Sequence, residues 1–220
     1  YPWLIGVDPS KFNIPSQIWP VVDSIGATWA YFKCTSWSED GGHVIDPRCD
    51  EHIAQARSRG RLFGLYHFLD SRSSPEDQAE FHWQQCLRIR PTLRSMVDVE
   101  PVGSFNKPSL VWVERFAARF EALSGFPPVV YCGWGYVDTL GRASSIARCP
   151  LWDASYPGKL VDDLPVERPR VPLVWSGRPI RIYQFTDSTT HGLRPGLDRN
   201  VSSGWVIAAL EWHWETGAPV

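Results

Sequence analysis

The feature that most limits how this chain can fold is an alternation. Short apolar runs with strand character recur along it at Leu4–Val7, Trp29–Cys34, Leu62–Leu69, Ser95–Glu100, Val129–Cys132, Leu151–Tyr156 and Arg181–Phe185, with a short eighth at Leu197–Asn200. Helical patterns fall between them, over Ser16–Ile25, Pro47–Arg59, Ser74 to about Arg90, Pro108–Ser124, Tyr136–Leu140 and Gly204–Glu215. The third begins Ser74-Pro75-Glu76-Asp77, a capping residue followed by proline and two acids in the first turn. In the fourth, Val113, Phe116, Phe120 and Leu123 keep the helical period. Gly60 and Gly125 follow their helices as C-terminal caps. Strand–helix alternation builds a parallel sheet with crossover helices. Roughly eight strands in about 200 residues is the lower size limit of a closed barrel. The expected fold is α/β, an irregular, flattened TIM-like β/α barrel of roughly eight strands and about five helices. Residues 1–215 form its single domain, and residues 216–220 read as the start of a possible linker.

Composition removes several function classes. No apolar run among the 220 residues reaches the 18 or so that a membrane span needs, so no membrane partner is expected. Basic and acidic residues nearly balance, 22 against 24, without a long run of either sign. Nucleic-acid binding needs a basic surface and is not expected. The 5 Cys are an odd number with no CxxC pair, which excludes a disulfide framework. Cys49-x-x-His52, with His43 and Cys34 nearby, lacks the second tight pair of a zinc site, so neither metal nor cofactor is expected. No basic and apolar leader pattern follows Tyr1-Pro2-Trp3. Free thiols agree with synthesis in a reducing cytoplasm. The 12 Trp, beside 7 Tyr and 10 Phe, admit two readings: an aromatic core, or a groove whose ring faces stack on sugars.

The acids then fall in a pattern. Asp8 follows the first strand, Asp98 and Glu100 end the fourth, and Asp198 sits at the eighth. In a β/α barrel the active site lies at the C-terminal ends of the strands. The first and eighth strands become neighbours on closure, which brings Asp8 and Asp198 together. Side chains at i and i+2 share one face of a strand, so Asp98 and Glu100 point into one cleft while Val99 turns to the core. Two close carboxyls cannot both ionise cheaply, so the pair titrates apart. One then stays anionic while the other holds a proton, which suits glycoside hydrolysis. Aromatic and polar companions stand at equivalent strand ends: Tyr66, His67, Phe68, Tyr131, Trp152, Tyr156 and Gln184. Of these His67 is the weakest candidate, because a buried, satisfied histidine is common.

With these residues in view, the chain resembles the glycoside hydrolase family 25 lysozymes, the Chalaropsis-type muramidases. Gly6-Val7-Asp8-Pro9-Ser10 resembles the opening G-[VI]-D-[VI]-S, and Ala30–Thr35 the Y-[IV]-K-A-T segment. Asp46-Pro47 and Gly64–Phe68 resemble D-P and G-x-Y-H-F, and Val97–Glu100 carries the family's D-x-E. Pro150–Tyr156, Tyr183-Gln184-Phe185 and Leu197–Asn200 are similar to P-L-W-[IV]-A-x-Y, W-Q-[YF] and [VL]-D-x-N. Three departures stand out. Ser36 occupies a place where many members carry Glu, and Glu39 or Asp40 would need a shifted loop to replace it. Tyr183 replaces Trp, and Asp153 replaces an apolar residue.

The resemblance implies cleavage of the β-1,4 bond between N-acetylmuramic acid and N-acetylglucosamine. Glu100 would be the general acid, and Asp98 would stabilise the 2-acetamido group or the transition state. Asp8 and Asp198 would complete the catalytic set. Tyr66, Phe68, Tyr131, Trp152, Tyr156 and Gln184 would line the substrate groove. The partner would be peptidoglycan glycan strands, met by a monomer at the bacterial cell wall. The enzyme would be made in the cytoplasm like a phage endolysin, or secreted. Two other readings stay open: a catalytically impaired wall-binding module, and a barrel glycosidase for another amino-sugar polymer such as chitin.

Overall fold

A computed structural model describes residues 3–102, 106, 108–133, 145–156, 160–161, 164–165, 180–189, 197–212 and 214. Its strands are β1 (Trp3–Val7), β2 (Trp29–Trp37), β3 (His43–Ile45), β4 (Leu62–Phe68), β5 (Met96–Val99), β6 (Val129–Gly133), β7 (Leu151–Ala154), β8 (Leu160–Val161), β9 (Leu164–Pro165), β10 (Ile180–Thr189) and β11 (Leu197–Ser203). The α-helices among the described residues are α1 (Pro15–Ser24), α2 (Cys49–Ser58), α3 (Pro75–Ile89), α4 (Leu110–Ser124) and α5 (Gly204–Ala209).

Eight of the strands close on themselves. They run β1-β11-β10-β7-β6-β5-β4-β2, and β2 pairs again with β1 through Gly6 opposite Trp29 and Val7 opposite Ala30. The expected α/β barrel is therefore present, with one irregularity. β11 runs antiparallel to both neighbours, β1 and β10, where an all-parallel sheet was expected. The sequence reading placed this strand by its apolar residues and had no signal for its direction.

Local chemistry accounts for most boundaries. Ser74 Oγ accepts the Asp77 amide at the start of α3, and Ser109 Oγ accepts that of Trp112 at the start of α4. Gly125 takes the left-handed conformation that ends α4, at φ 82°. Three elements differ from expectation. β2 runs on to Trp37 and folds back as a hairpin onto β3, a segment that reads as a polar loop. Gly41, at φ 84°, and the Ser38 amide bonded to Gly42 O make the turn possible. α5 ends at Ala209, short of the expected Glu215. The helix expected over 136–140 and the linker expected over 216–220 lie outside the described residues. No described helix is long and apolar enough to cross a membrane.

Alternation along the strands sorts the interior into two layers. Trp29, Tyr31, Tyr66, Met96, Val129, Tyr131, Trp152 and Ile182 pack inside the barrel, sealed below by Val206, Ile207 and Leu210. Ala30, Phe32, Phe63, Leu65, Val97, Val99 and Val130 face outward onto Ile53, Val113, Phe116 and Phe120 of the helices. Space inside the ring is made by glycine. A Cβ on Gly6 would overlap the Trp29 indole, and one on Gly64 the Tyr31 ring. The Trp29, Tyr31, Tyr131 and Trp152 rings then meet edge-to-face as a solid plug. This plug is the floor on which the polar residues of the upper rim stand. For Trp19, Trp29 and Trp152, all almost fully buried, the core reading of the tryptophans holds.

Candidate active site

The upper rim collects the acids through simple strand geometry. Val97 and Val99 of β5 are buried outward, so Asp98 points inward, as does Glu100 one residue beyond the strand. Phe68, Asp98 and Tyr131 lie opposite one another across β4, β5 and β6. On the far wall Val7 faces Arg199, so the next residues outward, Asp8 and Asp198, stand side by side. Asp198 reaches this rim because β11 is reversed: its beginning, not its end, lies at the mouth.

Hydrogen bonds tie the groups into two short chains. Tyr131 Oη donates to Gln184 Oε1 at 2.5 Å, and Glu100 Oε1 lies 3.4 Å from that same hydroxyl. Tyr156 Oη approaches Gln184 Oε1 at 3.4 Å from the exposed side. On the opposite wall, Trp152 Nε1 donates to Asn200 Oδ1 at 2.9 Å, and Asn200 Nδ2 donates to Asp8 Oδ1 at 2.8 Å.

Burial sets the charge state. It pushes the Asp98 carboxyl well above its ordinary value, and the Glu100 charge adds to the effect. Glu100 is raised as well, chiefly by burial, while the Tyr131 hydroxyl and Lys33 pull it back. Each therefore keeps its proton to higher pH than an isolated carboxyl would. Asp8 rises to about 7 through burial, opposed by its bond from Asn200 and reinforced by Glu100. Asp98 Oδ1 is buried and has no hydrogen-bond partner among the described residues.

Lys33 is the cation of the rim. Its ammonium sits 4.4 Å from the centre of the Phe68 ring. Burial lowers its proton affinity, and the charges of Asp98 and Asp46 restore part of it. Sequence reasoning gave no role to Lys33 or Asn200, although both stood inside quoted motifs. Inward alternation at a strand end marks Lys33, two residues beyond Tyr31. Asn200 had no comparable mark.

The other expected residues divide. Tyr66 and Tyr131 are nearly buried with the acids, Gln184 is held beneath them, and Tyr156 is half exposed at the edge. Trp152 is a correction. Its side chain is fully buried, 0% exposed, so it supports the floor and holds Asn200 rather than lining the groove. His67 faces the helix layer, where Nδ1 meets Thr35 Oγ1 at 2.8 Å and Nε2 meets Gln78 Oε1 at 2.9 Å. Burial lowers its pKa to about 4, so it is a neutral structural histidine. Glu39 and Asp40 are exposed in the β2–β3 turn. Cys49 and His52 are buried, and His52 Nε2 bonds Asn13 O. No group of three or more His, Cys, Asp or Glu among the described residues is arranged to hold a metal.

A barrel rim with two carboxyls of raised proton affinity, a nearby cation and phenolic neighbours can protonate a leaving oxygen and stabilise positive charge beside it. Comparison with known proteins gives the family and the fold. The family model described as Glycosyl hydrolases family 25 matches residues 7–192. The chain is similar to a solved muramidase from Trichobolus zukalii, at 27% identity and TM-score 0.70, over 91% of this chain and 94% of that one. It is also similar to a bacterial lysozyme from Streptomyces coelicolor, at 26% identity and TM-score 0.73, over 94% and 96%. The catalytic domain of endolysin ply40 from bacteriophage P40 of Listeria monocytogenes shares the fold at 18% identity and TM-score 0.71, over 96% and 98%. Comparison with curated protein sequences gives no match.

Proposed function

The chain belongs to glycosyl hydrolase family 25, and from this we infer that it is a peptidoglycan muramidase, cleaving the β-1,4 bond from N-acetylmuramic acid to N-acetylglucosamine. The observation that carries the reading is the pair of buried carboxyls, Asp98 and Glu100, on one inward face at the barrel mouth.

In this reading Glu100 gives its proton to the glycosidic oxygen as the C1–O bond breaks. Its position suits the step: it is the outer, half-buried member of the pair, beside Tyr131 Oη. Positive charge then develops at C1 and the ring oxygen. The 2-acetamido oxygen attacks C1, and the Asp98 carboxylate accepts the acetamido N–H. Glu100, now a carboxylate, takes a proton from water, which attacks C1 and opens the ring intermediate. Asp8 and Asp198 hold the sugar from the opposite wall. Tyr66, Phe68, Tyr131, Tyr156 and Gln184 shape the groove. In this reading the protein works at the bacterial cell wall.

The pH consequence follows in sign. Glu100 must carry a proton at the start, so activity falls as pH rises through the raised range of the pair. The test is digestion of purified peptidoglycan, with mass spectrometry of borohydride-reduced products. New reducing-end muramic acid is the expected result. New reducing-end glucosamine would move the cut to the other bond, and cleavage of chitin in preference to peptidoglycan would change the substrate.

A further inference from the structure

We propose that Asn200 is a positioning residue of this site, which acts by fixing the orientation and hydrogen-bond polarity of the Asp8 carboxyl. The inference rests on the hydrolase reading, since it gives Asp8 a place in the reaction.

The argument is one of donors and acceptors. The Trp152 indole N–H can only donate. It donates to Asn200 Oδ1 at 2.9 Å, which commits that oxygen and forbids the amide to turn over. The amide nitrogen therefore faces Asp8 and donates to Oδ1 at 2.8 Å. Asp8 Oδ1 is thereby an acceptor, and any proton on the carboxyl resides on Oδ2. A flexible carboxyl becomes one with a defined polarity.

Asn200 and Trp152 are each 0% exposed, so neither reaches the substrate. Both act through Asp8. The backbone reinforces the arrangement, because Asn200 lies opposite Gly6 on β1 and Gln184 on β10. Gly6 leaves space above the Trp29 ring, which is in edge contact with Trp152. The plug thus reaches the rim through one amide. Around Asp8 stand Glu100 and Asp98 from β5, Asp198 beside it on β11, and the phenols of Tyr66 and Tyr131. Among so many acids, a neutral donor on one oxygen keeps Asp8 ionisable near neutral pH.

The test is a titration of the Asp8 carboxyl by NMR on protein carrying 13C-aspartate, in wild type, Asn200→Ala and Trp152→Phe. It is run beside the pH profile of kcat/KM on peptidoglycan. Loss of the N–H donor should move the Asp8 midpoint upward, on the order of one pH unit in Asn200→Ala. A smaller upward move is expected in Trp152→Phe, whose amide is free to turn. One limb of the kcat/KM profile should move by the same amount. An Asp8 midpoint that stays in place in both variants, with far-UV circular dichroism and a cooperative thermal transition as in wild type, overturns the proposal. A rate loss without any moved limb does the same. Should Asn200→Ala not fold, Trp152→Phe carries the decision, because it leaves Asn200 in place. The NMR titration needs no substrate. Absence of turnover by wild type would therefore count against the muramidase reading alone, while the titration still judges Asn200.

Discussion

Trp152 and Asp153 are neighbours on β7 with opposite surroundings. Trp152 points into the plug, while Asp153 faces outward between Cys132 and Tyr183 on the adjacent strands. Asp153 is fully buried, and neither of its oxygens has a hydrogen-bond partner. Burial raises its pKa to about 7. An unfolded aspartate releases its proton near pH 4, so the folded state binds the proton more tightly. Stability is thus highest below that value and falls as pH rises through 7, by roughly 4 kcal/mol at most from this group. Asp153→Asn should therefore raise the thermal midpoint at pH 8 and leave it nearly unchanged at pH 4. Thermal unfolding at the two pH values checks this; an equal change at both would show that the carboxyl is not the destabilising group. At this scale the sequence was partly transparent. The i, i+2 spacing of Asp98 and Glu100 is a local property and was legible. The partnership of Asn200 with Asp8 spans 192 positions of chain and could not be read from either residue alone. Asp153 stood out as a departure, but only the structure shows that it is unpaired.

The elements owe their closeness to two strand glycines. Gly64 sits against the Tyr31 ring and Gly6 against the Trp29 indole, so a methyl group at either position must displace an aromatic ring of the plug. Gly64→Ala should destabilise the protein by about 2 kcal/mol or more. Urea unfolding would show a lower midpoint with an unchanged slope. A midpoint equal to that of wild type would mean that the Tyr31 ring moves freely, and that the plug is not rigid. Most elements were legible because caps and apolar periods are local signals: Ser74 and Gly125 sit where the sequence placed helix ends, and the fourth helix starts at Leu110, two residues after the expected Pro108. β3 was not, since Val44 and Ile45 make too short a run to register as a strand after the polar 39–42 stretch, and they pair because Gly41 turns the chain back onto β2. The direction of β11 was hidden for a related reason. A strand's own residues carry no arrow, and the partners that choose its sense, β1 and β10, are set by closure.

At the scale of the whole molecule, the barrel carries its acids at one end and is tied shut at the other. Below the plug, the chain after α5 returns along the segment before β5. The Arg94 amide bonds Leu210 O and the Trp212 amide bonds Thr92 O, each at 2.7 Å. Trp214 Nε1 reaches Pro91 O at 2.7 Å, and the Trp83, Trp212 and Trp214 rings lie nearly parallel against one another. Trp212→Ala should cost roughly 2 kcal/mol by removing the central ring. Trp214→Phe, which keeps an aromatic ring and loses one hydrogen bond, should cost about 1 kcal/mol. Denaturant midpoints of the two variants test whether this closure contributes to global stability; a midpoint unchanged in both would reduce it to a local contact. These tryptophans, with Trp29 and Trp152, show why the aromatic content was ambiguous in sequence. Both a core and a sugar groove use the same residue type, and only position in the barrel separates them.

The central claim is that this closed scaffold presents Glu100 as the acid of a muramidase. Its most direct test is release of reducing ends from purified peptidoglycan by wild type and by Glu100→Gln, with the fold of each verified by near-UV circular dichroism. The account predicts steady release by wild type, and release from the variant reduced to the uncatalysed background. Comparable rates from the two proteins would contradict it, because an amide cannot supply the proton that the leaving oxygen requires.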